Sequence, residues 1–224
     1  ALNAFVVGLS AAAVTVAIGL PIAYWLRYCA GRWQVPVFFL ITATLFASYL
    51  VRIYAWRTIL GENGLLNEGL ERIGAIDEPL GFLLYSRFAV IVALVHIFLP
   101  YVVLVLFAGF RPISPGYLEA AQDLGAGAFN RWRRVILPLI AAPAATSFLF
   151  VFILSASDYV TPQFLGGVDG SMLGVRIQQA LIGTGDWPLG AALAFLMLAA
   201  FMTCYLLTAA GLRLAKLDRV RFVQ

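Results

Sequence analysis

Apolar side chains fill five long blocks of this chain, near 3–26, 35–60, 88–110, 135–157 and 189–212, and the polar residues crowd into the segments between them. Each block reaches the roughly 20 residues that a helix rising about 1.5 Å per residue needs to cross a hydrocarbon core of about 30 Å. The pattern therefore predicts five membrane-spanning helices joined by segments 27–34, 61–87, 111–134 and 158–188, with a tail from Arg213. An odd number of spans puts the two ends on opposite sides of the membrane.

Composition agrees with that reading and narrows it. Of 224 residues, 62% are apolar and 12% charged, with a mean hydropathy of +0.94. A soluble domain carries about 45–50% apolar and about 25% charged residues, so this chain cannot wrap one core in polar surface, and a large soluble catalytic domain is excluded. Cys29 and Cys204 lie near or inside apolar blocks without a second Cys or His in ligand spacing, and read as packing residues rather than a disulfide or metal site. The net charge of +4 is informative through its placement, not as a sign of nucleic-acid binding.

That placement sets the orientation. Arg27, Arg32, Arg111, Arg131, Arg133, Arg134, Arg213, Lys216, Arg219 and Arg221 are ten of the 15 basic residues, and all fall on one side of the five-span arrangement. Glu62, Glu68, Glu71, Asp77, Glu78, Asp158, Asp169 and Asp186 lie on the other, where Arg72, Arg87 and Arg176 are diluted among them. Short basic loops are retained in the cytoplasm, so the first residues are expected outside and the tail inside. Ala1 stands almost at the start of the first apolar block, which runs into Tyr24, Trp25 and Arg27 as an interfacial anchor rather than into a cleavage site. A further span is expected upstream in the full chain, making six.

The cytoplasmic segment RPISPGYLEAAQDLGAGAFNRWRRVILP, from Arg111 to Pro138, breaks the apolar monotony. Ser114 is an N-cap, Pro115 suits the first helical position, and Gly125 can end the helix in a left-handed conformation. The short helix carries Tyr117, Leu118, Ala121 and Leu124 at helical spacing, with Ala120 and Ala121 small enough for a partner to approach. Two readings are open: an amphipathic helix lying on anionic lipid through Arg131, Trp132, Arg133 and Arg134, or a docking helix for a partner protein.

Glu119, Ala120, Ala121 and Gly125, followed by Val135, Leu137 and Pro138, resemble the EAA signature of ABC importer permeases, Val135 standing for the usual Ile. The resemblance implies an all-α type I ABC importer transmembrane domain, as a single domain over 1–224, in which Glu119, Ala120, Ala121, Leu124 and Gly125 form a coupling helix and Pro138 closes the signature. It also implies two ATP-binding subunits, a second permease subunit, homologous or identical, a periplasmic solute-binding protein and a bacterial inner-membrane location. Independently, the sole lysine, Lys216, lies in no Gly-x-x-x-x-Gly-Lys-Ser/Thr context, so ATP and Mg would be held by the partner subunits and this chain would carry no cofactor or ATPase site.

Softer stretches resemble the polyamine (spermidine/putrescine) group of such permeases: Gly19, Leu20, Pro21, Ala23 and Tyr24; Arg52, Tyr54, Ala55 and Trp56 with Leu60, Gly61, Gly64 and Asn67; and Ser157, Asp158, Tyr159, Pro162, Leu165, Gly166 and Gly167. The resemblance implies ATP-driven uptake of a small polar solute of that class, with permeases for an anion, a metal or an opine sharing the same fold.

The polar groups at membrane depth are the remaining candidates. Tyr49, Arg52 and Trp56 share one helical face, where an arginine facing lipid would cost at least about 2.5 kcal/mol, so that face is expected to point inward. Arg52 is either structural, paired with a helix carbonyl end or with Asp158, or it lines a pathway with Tyr49, Trp56, Asp158 and Tyr159. Asp158 is either a cation-attracting group or an N-cap or loop anchor, and His96 reads as a hydrogen-bonded packing residue rather than a proton relay. Gly8, Ala12, Ala13 and Gly19 are expected to pack the first span closely. A channel or secondary transporter would need no ATPase; a membrane-embedded enzyme has no catalytic constellation here.

Overall fold

A computed structural model describes residues 2–168, 170 and 172–214. Lys216, Arg219 and Arg221 of the basic tail, and Asp169 of the outer acids, lie outside the described residues. The chain begins with α1 (Leu2–Tyr28), passes a single 3₁₀ turn at Gly31–Trp33, and continues through α2 (Gln34–Thr44), α3 (Tyr49–Leu60), α4 (Leu65–Arg72) and α5 (Arg87–Phe110). After α6 (Pro115–Asp123) and α7 (Ala128–Arg131), a π-helical turn at Trp132–Ile136 leads directly into α8 (Leu137–Ser157). Short helices α9 (Val160–Leu165) and α10 (Leu173–Gln178), with a second π turn at Gln179–Gly183, precede α11 (Trp187–Leu214).

Among the described residues, four stretches are long and apolar enough to cross a membrane unbroken: Leu2–Tyr28, Arg87–Phe110, Ala128–Ser157 and Trp187–Leu214. The fifth expected span, 35–60, is not one continuous helix. Its two halves meet at a break and, taken from Gly31 to Thr44 and from Tyr49 to Arg72, are bent by 93°. Ser48 at ψ 135 is extended, which ends α2 and restarts the chain as α3 in a new direction. Hydropathy reports only the apolar character of the block and is silent about where its backbone turns.

The core is built on α1, which lies between α5 and α8. Small residues let the backbones close: a Cβ added at Gly8 would stand 2.8 Å from the Ala156 Cβ, one at Gly19 2.8 Å from Val102 Cγ1, and one at Gly109 2.7 Å from Pro143 Cγ. In lipid, where burying apolar surface gains nothing over the acyl chains, such close approach is a main source of helix association. Ala12 is buried in this contact together with Ala11, whereas Ala13, expected there with Ala12, is exposed. Rings carry the packing outward, Phe5 against Phe152 and Phe152 against Phe201, so that α11 joins α8 along one flank. Gly190 is the single buried residue of α11.

Candidate functional site

Helix α6 forms as its sequence directs. Ser114 caps it by accepting a hydrogen bond from the Gly116 amide, Pro115 opens it, and Gly125 ends it at φ +79. The Ala126 amide reaches back to the Ala121 carbonyl at 2.9 Å and the Gly125 amide to Gln122 at 2.8 Å, the paired bonds of a Schellman end. Glu119, Ala120 and Leu124 are exposed, Leu124 at 88%. Phe129 beyond the turn is 75% exposed, and with Tyr117 these residues offer large apolar side chains to solvent. Leu118 does not join them. It turns inward against the core cluster, so the apolar side chains of α6 divide between an exposed set and an anchoring one.

The anchor is aromatic. Tyr24 packs tilted on Trp132 at 4.9 Å and meets Phe110 edge-on at 6.0 Å, Tyr28 lies 5.9 Å from Phe110, and the Tyr28 hydroxyl donates to the Ile113 carbonyl at 3.0 Å. The end of α1, the end of α5 and the start of the α8 rod thus meet directly beneath α6. Arg131 adds a bond from Nη1 to Gln122 Oε1 at 2.9 Å, tying α7 to α6. The rod begins at Ala128, seven residues before the expected start of the span, because the π turn carries the helix on through Arg133 and Arg134. Pro138 explains the π turn. It has no amide to give and its ring crowds the carbonyl four residues back, and the wider turn, closed by the Leu137 amide on the Trp132 carbonyl, relieves both defects.

At the break between α2 and α3, Arg52 is 9% exposed and carries three hydrogen bonds. Its Nη2 donates to the Thr44 carbonyl at 3.0 Å and the Ala47 carbonyl at 2.8 Å, and Nη1 donates to the Ile97 carbonyl of α5 at 3.3 Å. The guanidinium thus satisfies the carbonyl end of α2, one of the structural roles open to it from sequence. Pairing with Asp158 is not what the side chain does. One turn along α3, Trp56 donates Nε1–H to His96 Nδ1 at 3.2 Å, which fixes the imidazole as an acceptor at that nitrogen.

On the earlier turn of the same face, the Tyr49 hydroxyl bonds Asp158 Oδ2 at 2.7 Å and Thr161 Oγ1 at 2.8 Å. Asp158 also accepts from the Val160 amide at 3.0 Å and the Thr161 amide at 3.3 Å, so it caps α9 while holding α3. Tyr159 beside it is exposed. The structure brings Tyr49 and Asp158 together, sets Arg52 on carbonyls and Trp56 on His96, and keeps this polar face of α3 apart from the α6 end of the molecule.

These features have counterparts among known proteins. The model of the family described as the binding-protein-dependent transport system inner membrane component matches residues 4–216. The chain belongs to this family. The spermidine/putrescine transport system permease protein PotB of Haemophilus influenzae is 30% identical over 181 residues, which are 81% of this chain and 63% of that protein. PotB of Escherichia coli is 30% identical over 191 residues, 85% of this chain and 69% of that protein. The chain thus spans somewhat under two thirds of the Haemophilus relative. Among solved structures, a bacterial alginate ABC transporter in complex with an alginate pentasaccharide-bound periplasmic protein superposes with a TM-score of 0.70 at 17% identity, covering 95% of this chain and 78% of that one. The fold is that of a type I ABC importer transmembrane domain, and the chain is a multi-pass inner-membrane component.

Several residues that resemble the polyamine permease group act here as scaffold. Asn67 is fully buried, donating to the Gly61 carbonyl and accepting from the Leu80 amide, both at 3.0 Å, which fastens the outer loop to the end of α3. Gly167, at φ +56, lets the chain lie on the backbone of Tyr85. Sequence reasoning missed Thr161, Trp132 as a packing partner, and above all the carbonyls of Thr44, Ala47 and Ile97. Backbone oxygens leave no trace in residue types. The one available signal was an arginine within an apolar block, which had to find acceptors somewhere.

Proposed function

We propose that this chain is the transmembrane permease subunit of an ABC importer that takes up polyamines such as spermidine or putrescine. It would work with two ATP-binding subunits, which hold ATP and Mg, a second permease subunit and a periplasmic binding protein. The observation that carries the reading is the construction of α6: a helix capped at both ends, showing Tyr117 and Leu124 outward while Leu118 and the Tyr24–Trp132 contact root it among the membrane helices. A partner gripping Glu119, Ala120, Ala121 and Leu124 would grip the ends of α1, α5 and α8 with them. Closure of paired ATPases would then act on the helices themselves, and Gly125 and Pro138 supply the turns that hold the lever in place. The first residues lie outside and the tail inside, so that α6 faces the cytoplasm. The solute class rests on the similarity to PotB.

Tyr49, Arg52, Trp56, Asp158 and Tyr159 are the pathway candidates under this reading. Arg52 is one of them although its guanidinium is held on carbonyls. Uptake of labelled spermidine by proteoliposomes holding the whole complex, with and without ATP, is the test. ATP-dependent uptake is expected. Uptake that ignores ATP would replace the importer with a channel or secondary transporter, and ATP-driven uptake of other solutes alone would keep the permease and discard the polyamine.

A further inference from the structure

We propose that the carbonyl end of α2 is an ammonium-binding subsite of the translocation pathway, and that the Arg52 guanidinium occupies it as a resident stand-in until an amine of the solute displaces it. The inference rests on the polyamine reading for the identity of the amine.

Four observations meet at this point. First, a break: α2 has 11 residues, about 16 Å of helix, starts beside Arg32 and Trp33, and ends where the chain bends by 93° into α3. A broken helix whose carbonyl end is available to a cation is a construction transporters use. Second, the acceptors: Thr44, Ala47 and Ile97 offer three carbonyl oxygens at 2.8–3.3 Å from one cationic group, and no carboxylate is among them. A primary ammonium carries three donors, enough for one on each oxygen.

Third, the present occupant fits incompletely. Arg52 is nine-tenths buried, yet its Nε finds no acceptor, an uncommon state for a buried donor and a costly one. Fourth, there is room beside it. A cavity of about 380 Å³ opens at Arg52, its wall mostly apolar through Ile22, Leu40, Leu99 and Pro100, with Thr44 and His96 the other polar side chains on it. An apolar trough ending in a carbonyl cage suits a polymethylene chain with an amine at its tip. The displaced guanidinium has an acceptor on its own face of α3, the Asp158 carboxylate that Tyr49 holds one turn earlier. Among the described residues no basic side chain pairs with that carboxylate.

The experiment measures the thermal stability of the whole importer complex in nanodiscs, as wild type, Arg52→Ala and Arg52→Lys, against butylammonium, 1,4-diaminobutane and tetramethylammonium, which has no N–H. Arg52→Ala vacates the cage. Its Tm is expected to rise by several degrees, with saturation, in butylammonium and 1,4-diaminobutane, to respond far less in tetramethylammonium, and to exceed the wild-type response at equal concentration. If the alanine variant fails to assemble, Arg52→Lys carries the test. Its side chain is one atom shorter and does not reach all the carbonyls that the two Nη atoms of Arg52 hold, so its Tm is expected to respond to butylammonium at lower concentration than the wild type does. Equal responses to butylammonium and tetramethylammonium in whichever variant assembles would overturn the subsite. Spermidine uptake by the wild-type complex scores the solute separately: uptake without the ammonium response removes the subsite alone, and the ammonium response without uptake removes the polyamine while keeping an ammonium site.

Discussion

The Tyr49 hydroxyl stands 2.7 Å from Asp158 Oδ2 and joins helices 109 residues apart in sequence. Through it, α3 is bound to the junction of α8 and α9, and the same carboxylate caps α9 through the Val160 and Thr161 amides. A hydrogen bond to a charged acceptor contributes about 1.5–3 kcal/mol. Tyr49→Phe should therefore lower the unfolding temperature of the purified protein. Asp158→Asn should lower it as well, and the double variant should lose less than the sum of the two. Strict additivity in that cycle would show that the two side chains do not act on each other.

Gly125 sits at φ +79, where a side chain costs about 1–2 kcal/mol. Gly125→Ala should fray the last turn of α6 and reduce the ATPase recovered with the complex, while Gly125→Asn, which tolerates that conformation better, should fall between. Quantifying co-purified ATPase in the three proteins checks the order. Equal recovery would remove Gly125 from the docking machinery.

Trp132 lies beneath α6, packed on Tyr24 rather than displayed with Leu124. Trp132→Ala should leave ATPase binding close to normal and lower the uptake per ATP hydrolysed. Leu124→Asp, on the exposed side, should lower binding itself. The two defects separate anchoring from docking, and identical defects would show that α6 does not divide into two sides.

Gly8 faces Ala156 with no room for a methyl group. Gly8→Val should push α1 away from α8 and lower thermal stability severely, by a few kcal/mol in the manner of an overpacked core. Ala13→Val, on the exposed side of the same helix, should be nearly silent in the same melt.

Much of this architecture was legible in the chain. Apolar length located the membrane helices, and Ser114, Pro115 and Gly125 marked α6 because each supplies a local backbone requirement that no tertiary contact needs to correct. Two things were not legible. The break at 45–48 depends on Arg52 arriving from the next helix to satisfy carbonyls that the end of α2 leaves without a helical partner. Leu118 and Leu124 are both leucines on one short helix, and only the position of Tyr24 and Trp132 decides which is buried. Helix boundaries within a continuous apolar block, and the choice of face on a short helix, are set by neighbours distant in sequence.

The π turn at Trp132–Ile136 has a bearing on how the rod from Ala128 to Ser157 is phased. It inserts one residue beyond regular winding, so every side chain of α8 is rotated by about 100° relative to the α7 end. Ile140, Ser147, Val151 and Ser155 meet the rest of the bundle only because of that offset. Removing one residue from the turn would leave composition and hydropathy almost unchanged while swinging this row toward lipid. The apolar sequence of α8 is therefore correct in only one angular setting, and the five residues before it act as the index pin.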